Sequence, residues 1–181
     1  MLTAREANDL LQRAEVLVPA EVVQASIRRV AGEVSAELGA TYPLILSVMG
    51  GAVVFSGQLL PLLAFPLDFD YVHVSRYGDR QQGGELHWKV APHERVKGRT
   101  VLVLDDILDQ GETLHAVRER VLALGATAFY SAVLVDKENG YDKPLRADFV
   151  GLSVPDRFIF GCGMDIQGAW RNLPAIHAIR E

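Results

Sequence analysis

Cysteine is almost absent from the sequence. The single residue Cys162 has no partner within the chain for a disulfide, and one thiol excludes a metal site built only from cysteines. We therefore interpret Cys162 as a small core residue and expect a reducing, cytoplasmic location. The five histidines lack the spacing of metal ligands, so no functional role is assigned to any of them.

Long runs of like charge are also absent. The chain has 18 lysines and arginines against 23 acidic residues, which gives a net charge of −5. Because nucleic acids and anionic membrane surfaces attract clustered basic residues, this balance predicts neither a nucleic-acid nor a membrane partner. The N-terminal stretch TAREANDLLQRAE is too charged for the apolar core of a secretory signal peptide.

One hydrophobic run is long enough to raise the question of a membrane span. Residues 38–67 carry no charged side chain, and about 20 apolar residues suffice to cross a bilayer. Gly50, Gly51, Pro61 and Pro66 divide the run into shorter pieces. Since these pieces have the lengths of a strand and a helix, we favour a buried strand-turn-helix over a span.

Apolar strands alternate with helical patterns along the rest of the chain. Thr3 with Glu6 forms a capping-box pattern, Pro19 suits a first helical turn and Gly39 suits a helix end. The predicted helices are 3–15, 19–38, 52–63 and 113–124, with a helical turn at 170–173. The predicted strands are 43–49, 67–77, 84–90, 100–104, 127–136, 148–154, 157–161 and 175–179. This order predicts one α/β domain with a mostly parallel twisted sheet and helices on both faces.

Acidic side chains follow the apolar strand predicted at 100–104. Residues 101–114 read VLVLDDILDQGETL and lead into a predicted helix. A helix N-terminus has unpaired amides and a partial positive charge, so the turn 109–113 could bind a phosphate. Asp105 and Asp106 can only accept hydrogen bonds, which suits vicinal sugar hydroxyls or a hydrated Mg²⁺. The alternative is that these acids are solvated and merely cap the helix.

Other phosphate patterns are missing or weak. No GxxxxGK[ST] sequence occurs, and neither 50–51 nor 161–163 extends to GxGxxG. Residues 68–72 match the D-x-D-x-[TV] pattern of aspartyl phosphatases. They lie within a predicted strand, however, where alternation would place both acids on one solvated face.

Residues 101–113 resemble the phosphoribosyl-diphosphate (PRPP) binding motif of the type I phosphoribosyltransferases. The shared pattern is four apolar residues, two acids, two apolar residues, an acid, a polar residue, Gly, any residue and Thr. Further segments resemble the hypoxanthine-guanine branch of that family, namely 47–51, 74–78, 133–137, 147–165 and 171–174. The resemblance implies a single phosphoribosyltransferase domain over 1–181. It also implies a mobile loop at about 76–88 and a small hood, formed by the chain termini, with its purine side at about 137–174.

The reaction implied by this resemblance is a purine salvage step. Purine N9 displaces pyrophosphate from C1 of the Mg²⁺-bound sugar, so hypoxanthine and guanine would give IMP and GMP. A homodimer or homotetramer is implied as well. Two alternatives stay open: an enzyme that prefers xanthine, and a PRPP-binding regulatory protein that binds RNA. The scattered basic residues give no support to RNA binding.

The resemblance also implies roles for the residues of the PRPP site. Asp105 and Asp106 would hold the ribose hydroxyls, and Asp109 would act as general acid/base near purine N7. The 5-phosphate would be bound by Asp109, Gln110, Gly111, Glu112 and Thr113. The pyrophosphate would be bound by Met49, Gly50, Gly51 and Arg171. Magnesium ligands would come from Asp165, Asp105 and Asp106.

The purine side of the site is implied in the same way. Lys137 would donate to the 6-oxo group, although it could simply be a solvated lysine that follows a strand. Phe158 would stack on the base. The alternative for a phenylalanine in this segment is a core residue, and we accept it for Phe160. The purine would be bound by Lys137, Phe158, Ile159 and Asp165. Arg76 and Tyr77 would begin the mobile hairpin that closes over the site.

Four positions depart from the pattern usual in the family. Met49 stands where many relatives have lysine, so backbone amides would contact the pyrophosphate, and Arg76 is a candidate for the missing positive charge. Arg76 itself stands where serine is usual. Asp105 replaces a commoner glutamate, and Gln110 stands where serine or threonine would contact the phosphate.

Overall fold

The computed structural model describes residues 2–76 and 86–180, which form two separate β-sheets and four α-helices. The helices are α1 (Ala4–Gln12), α2 (Ala20–Leu38), α3 (Val53–Leu59) and α4 (Glu112–Ala123). The strands are β1 (Ala14–Val18), β2 (Leu44–Met49), β3 (Asp68–Arg76), β4 (Leu86–Val90), β5 (Thr100–Leu108), β6 (Ala128–Glu138), β7 (Phe149–Pro155), β8 (Ile159–Phe160) and β9 (Ile176–Ile179). Short 3₁₀ helices occupy Leu60–Leu62 and Glu94–Val96.

The larger sheet has six strands in the order β4-β3-β2-β5-β6-β7. All neighbouring pairs are parallel except β3 and β4, which are antiparallel. The predicted α/β fold with a mostly parallel sheet is therefore confirmed. Because β2, β5 and β6 run in the same direction, their carboxyl ends meet at one edge of the sheet, where ligands bind in such folds.

Two hydrophobic cores lie on opposite faces of this sheet. Leu102 and Leu104 of β5 pack on the side covered by α2 and α3. Val101 and Val103 point to the side covered by α4. Burial on both faces explains why β5 begins as a continuous apolar run instead of alternating with polar residues.

The apolar run at 38–67 forms the end of α2, strand β2, helix α3 and a 3₁₀ turn. The prediction of a buried strand-turn-helix is therefore confirmed. None of the helices in the described ranges has the length and hydropathy needed to cross a membrane.

The smaller sheet is the hood formed by the chain termini. It has three antiparallel strands in the order β1-β9-β8. Strand β1 was not predicted. Helix α1 ends at Gln12, and the residues of β1 pair with β9 instead of extending the helix through residue 15. The hood boundaries given above, 137–174, and the single-domain division over 1–181 stay predictions.

Several predicted helix ends are confirmed and others need correction. Thr3 and Glu6 form the capping box, in which the Thr3 amide donates to the Glu6 carboxylate at 2.7 Å. Pro19 is the N-cap of α2, one residue before its first turn. Gly39 ends α2, but in a right-handed conformation and not in the left-handed one usual for a glycine cap. Residues 170–173 form a turn and no helix.

Strands β5 and β6 are longer than predicted. Beyond Leu104, β5 loses its β2 neighbour but continues beside β6 as far as the Leu108 to Asp136 pair. Asp105 and Asp106 therefore lie within a strand, not in the loop after it. Pairing with β7 extends β6 to Glu138, so Lys137 also lies within a strand.

Candidate active site

A pair of adjacent carboxyl groups lies near the end of β5. The Asp105 side chain is buried, with 7% of its surface exposed, and it accepts a hydrogen bond from the Asp106 amide at 3.0 Å. Burial, reinforced by the neighbouring Asp106 charge, raises the pKa of Asp105 well above its usual range. Burial also raises the pKa of Asp106. The alternative that the acids are solvated and merely cap the helix is therefore wrong for Asp105.

The turn after β5 has the geometry that was predicted for phosphate binding. Gly111 has a φ of 83° and is the N-cap of α4, a left-handed conformation that favours glycine. No side chain caps the N-terminus of α4, and a helix N-terminus attracts anions. The helix begins at Glu112 and carries Thr113 in its first turn. Phosphate binding by residues 109–113 stays a prediction.

The loop after β2 packs directly on the acidic pair. A side chain at Gly51 would collide with the Asp106 carboxylate, and a side chain at Gly163 would collide with the Gly51 carbonyl. Three segments distant in sequence therefore meet at this point. The predicted pyrophosphate loop, Met49, Gly50 and Gly51, lies beside the predicted ribose site.

Arg171 and Asp165 form an ion pair next to this junction. The Arg171 guanidinium lies 2.6 Å from Asp165 Oδ1 and donates to the Gly163 carbonyl at 2.6 Å. The other Asp165 oxygen accepts a hydrogen bond from the Gly168 amide at 2.6 Å. The Arg171 charge also partly offsets the rise in the Asp106 pKa. The predicted pyrophosphate and metal residues are thus adjacent through Gly163.

The acidic residues fit a magnesium ion shared with a substrate. Within residues 2–76 and 86–180, no group of three or more His, Cys, Asp or Glu side chains could hold a metal alone. Mg²⁺ in phosphoryl sites commonly takes one or two carboxylates and completes its shell with phosphate oxygens and water. The desolvated Asp105–Asp106 pair is such an incomplete set and would gain from a cation, and Asp165 is a further carboxylate beside Arg171.

Lys137 lies between two carboxylates at the end of β6. Its side chain is only 13% exposed, and its ammonium lies 3.0 Å from Asp156 Oδ1 and 3.8 Å from Asp109 Oδ2. Lys137 is therefore not a solvated lysine, and that alternative is wrong. Asp156 was missed as a site residue, although it lies within the 147–165 segment that carries the resemblance.

Phe158 lies in the connection between β7 and β8. Phe158 is 46% exposed, whereas Ile159 and Phe160 are buried. Phe158 is therefore not a core residue, and it is free to contact a flat ligand. Arg157 anchors this segment to the hood, donating to Glu15 and to the Ile179 carbonyl at 2.7 Å each.

Two further residues reach the site from the loop after β6. The Asn139 amide donates to Asp109 Oδ1 at 2.7 Å and to the Asp109 carbonyl at 3.0 Å. The Lys143 ammonium donates to the Leu108 carbonyl at 2.9 Å and to the Lys137 carbonyl at 2.7 Å. Sequence reasoning missed both residues, because polar residues in a loop carry no pattern that shows where they fold back.

The two acids of the D-x-D-x-V pattern, Asp68 and Asp70, form ion pairs with basic side chains. Asp68 accepts a hydrogen bond from Arg99 at 2.9 Å, and this bond lowers the Asp68 pKa. Asp70 contacts Arg95 at 3.2 Å and His93 at 3.1 Å. The prediction that both acids share one face and do not form a phosphatase site is consistent with these ion pairs.

Comparison with known proteins decides the family. Residues 18–167 match the family model of the phosphoribosyl transferase domain. The chain belongs to this family. It is 33% identical over 167 residues to the hypoxanthine-guanine phosphoribosyltransferase of Bacillus subtilis, a match that covers 92% of this chain and 93% of that protein.

Two more relatives support the same placement of this phosphoribosyltransferase. The hypoxanthine-guanine-xanthine phosphoribosyltransferase of Tritrichomonas foetus is 32% identical over 183 residues, with 99% of this chain and 98% of that protein covered. A crystal structure of a hypoxanthine-guanine phosphoribosyltransferase from Bacillus anthracis superposes with a TM-score of 0.85 at 26% identity, and the match covers 92% of this chain and 98% of that chain.

The rest of the predicted site stays untested in this phosphoribosyltransferase. Tyr77 and most of the loop predicted at 76–88 lie outside the described residues. Arg76 ends β3, which pairs with β4 as the predicted hairpin requires. Gln110 is partly buried in the turn before α4, and nothing in the structure explains why glutamine stands there.

Proposed function

We propose that this phosphoribosyltransferase acts in purine salvage, transferring the 5-phosphoribosyl group of PRPP to N9 of hypoxanthine or guanine. The products would be IMP or GMP and pyrophosphate. The observation that carries the proposal is the position of Lys137, which lies 3.8 Å from Asp109 at the carboxyl edge of the sheet. A hydrogen-bond donor suited to a 6-oxo group and a carboxylate suited to N7 thus lie side by side.

Asp105, Asp106 and the turn before α4 would bind the phosphoribosyl group. The two carboxylates would accept hydrogen bonds from the ribose 2′ and 3′ hydroxyls. The N-terminus of α4 and the hydroxyl of Thr113 would bind the 5-phosphate. This arrangement explains why two acids lie close to an anion site, since hydroxyl groups and a cation separate the charges.

The pyrophosphate would bind between the 49–51 loop and Arg171. Backbone amides of Met49, Gly50 and Gly51 would donate to its oxygens, and Arg171 could bind two oxygens with its planar fork. Magnesium ions held by Asp165, Asp105 or Asp106 would neutralise the negative charge that grows on the leaving group. The Arg171 guanidinium is already oriented by Asp165 and Gly163, so little side-chain freedom is lost on binding.

Lys137 and Phe158 would bind the purine. The Lys137 ammonium has three donors and no acceptor, so it favours the 6-oxo group of hypoxanthine or guanine over the 6-amino group of adenine. The exposed ring of Phe158 would stack on the base. Asp109 would take the proton from N7 as N9 bonds to the sugar carbon.

Xanthine is a second candidate substrate. The observation in its favour is the similarity to the Tritrichomonas foetus protein, whose name includes xanthine. A regulatory protein that only binds PRPP is the remaining alternative. Neither alternative is needed to explain the geometry around Lys137.

A homo-oligomer in the cytoplasm is proposed as the working form. Four exposed apolar side chains support an oligomer: Phe69 and Tyr71 on β3, Val53 on α3 and Leu62 on the following 3₁₀ turn. Light scattering coupled to gel filtration would test this, since a dimer has about twice the chain mass of 19.9 kDa.

Direct assay of nucleotide formation tests the proposed function. Purified protein would be incubated with Mg²⁺, PRPP and each of hypoxanthine, guanine, xanthine and adenine separately. We expect turnover with hypoxanthine or guanine and none with adenine. Absence of turnover with both hypoxanthine and guanine would contradict the proposal, and turnover with xanthine alone would favour the second candidate.

A further inference from the structure

Asn139 contacts the carboxylate that is proposed to exchange a proton with the purine. Its amide nitrogen lies 2.7 Å from Asp109 Oδ1 and 3.0 Å from the Asp109 carbonyl oxygen. Its amide oxygen accepts a hydrogen bond from the Tyr141 backbone at 3.2 Å. The Tyr141 contact sets the orientation of the amide, because the oxygen must face the backbone N–H and the nitrogen must then face Asp109.

The two oxygens of the Asp109 carboxylate are held from different sides. Oδ1 accepts from Asn139, whereas Oδ2 lies 3.8 Å from the Lys137 ammonium. The Asp109 side chain is 50% exposed, so neighbouring core residues do not fix its rotamer. Without these polar contacts it would sample several rotamers, and only some of them would point towards a ligand.

The chemistry of the purine distinguishes the two oxygens. O6 and N7 are adjacent on one edge of a 6-oxopurine, and in the base proposed to react O6 accepts a hydrogen bond while N7 carries the proton. If Lys137 binds O6, the neighbouring N7 lies on the side of Asp109 Oδ2, the oxygen nearest to Lys137. The Asn139 hydrogen bond then occupies the oxygen that does not face the base, and it leaves Oδ2 free to react.

We propose that Asn139 is a positioning residue, which holds the Asp109 carboxylate with Oδ2 towards purine N7. The inference rests on the proposed function, because it concerns the same proton transfer. In that step N9 forms a bond to C1 of the sugar and the C1–O bond to pyrophosphate breaks. The proton on N7 passes to Asp109 Oδ2, so the nucleotide leaves with a neutral base.

Substitutions at residue 139 separate hydrogen bonding from packing. Asn139→Ala removes the donor, and we expect kcat to fall about tenfold, while the KM of PRPP changes by less than about twofold. Asn139→Asp keeps the shape but places a second carboxylate against Asp109. We expect it to be the slower of the two variants, whereas a packing role would make the isosteric variant the faster one.

A double-mutant cycle identifies the group through which Asn139 acts. Asp109→Asn should lose most turnover but keep PRPP binding. Asn139→Ala should change the residual rate of Asp109→Asn by less than about twofold, because the carboxylate on which it acts is gone. Glu138→Ala, at the exposed neighbouring side chain, is the matched control and should keep the original kcat. Unchanged thermal midpoints would show that the variants are folded.

The outcomes distinguish this inference from the proposed function. If Asp109→Asn turns over at a near-normal rate, the acid/base role of Asp109 fails and the positioning role fails with it. If Asp109→Asn is slow but Asn139→Ala keeps its rate, only the positioning role is overturned. An Asn139→Ala effect that persists in the Asp109→Asn background would also overturn it.

Discussion

The Asp106 carboxylate fills the space in which a side chain at position 51 would lie. A β-carbon added to Gly51 would overlap the carboxyl carbon and both oxygens of Asp106. Gly163 packs on the other side of the same loop, against the Gly51 carbonyl. The 49–51 loop, the acidic pair on β5 and the segment that leads to Asp165 therefore determine one another's positions.

Gly51→Ala should displace Asp106 and impair PRPP binding. Relief of the overlap requires movement of the 49–51 loop or of the β5 carboxylate, which is partly buried. We expect a loss of about 1–3 kcal/mol in the free energy of unfolding and a rise of at least about tenfold in the KM of PRPP. Urea unfolding and steady-state kinetics measure the two effects.

Gly57→Ala is the matched control for this prediction. Gly57 lies in α3, and a β-carbon built there meets no atom within 4 Å. Because alanine favours a helix more than glycine does, Gly57→Ala should keep or raise stability. If Gly51→Ala matched this control in stability and in PRPP affinity, the overlap would not constrain the site.

Asp105→Asn should stabilise the metal-free and substrate-free protein at neutral and alkaline pH. Burial raises the folded-state pKa of Asp105 above its ordinary value of 3.8. Between 3.8 and the raised pKa, the folded state therefore binds more protons than the unfolded state. The contribution of Asp105 to the free energy of unfolding is fully present below pH 3.8 and is lost as the pH rises through the raised pKa. Asparagine does not ionise and avoids this loss.

Thermal unfolding in EDTA at several pH values tests the sign of this effect. The midpoint of Asp105→Asn should exceed that of the original chain at about pH 8, and the difference should narrow by about pH 5. Turnover should fall because a ribose acceptor is lost. Asp142→Asn, at an exposed side chain, should show no difference at either pH. A variant less stable than the original chain at about pH 8 would contradict the prediction.

Lys137→Ala should raise the KM of the purine far more than the KM of PRPP. The ammonium is the proposed donor to the 6-oxo group, and its loss should cost about tenfold or more in apparent base affinity. Asp156→Asn should raise the same KM by a smaller factor, because it weakens the 3.0 Å ion pair that orients the ammonium. Steady-state kinetics with hypoxanthine and PRPP varied in turn measure both effects.

Lys97→Ala provides the comparison for the loss of a lysine. Lys97 is exposed in the turn before β5, at the amino end of that strand, whereas Lys137 lies near the carboxyl end of β6. Both KM values should therefore stay as they are in the original chain. If Lys137→Ala raised the KM of the purine and the KM of PRPP by the same factor, a specific contact between Lys137 and the purine would be contradicted.

The segment 101–114 shows how much local sequence can predict. Its apolar start predicted a buried strand, and Gly111 with the polar turn predicted a helix N-terminus, both of which the structure contains. The predicted strand end at 104 was wrong because it was placed where the apolar residues stop. Continued pairing with β6, which depends on a neighbour outside the segment, carries β5 through Asp105 and Asp106.

Strand β1 was missed for a similar reason. Its five residues carry a weak pattern of their own, and two of them are exposed. The segment forms a strand because β9, from the other end of the chain, supplies the backbone hydrogen bonds. A strand this short is stable only with such a partner.

The sequence by itself determined the order of the strands and helices apart from β1, the turn at Gly111 and, through the resemblance, a predicted set of PRPP-site residues. Periodicity, capping and turn chemistry depend on residues only a few positions apart, so they can be read along the chain. Tertiary structure alone decided that Asn139 contacts Asp109, 30 positions away, and that Lys137 pairs with Asp156. These contacts exist because parallel strands bring their carboxyl ends to one edge of the sheet, and no local pattern records which side chains meet there.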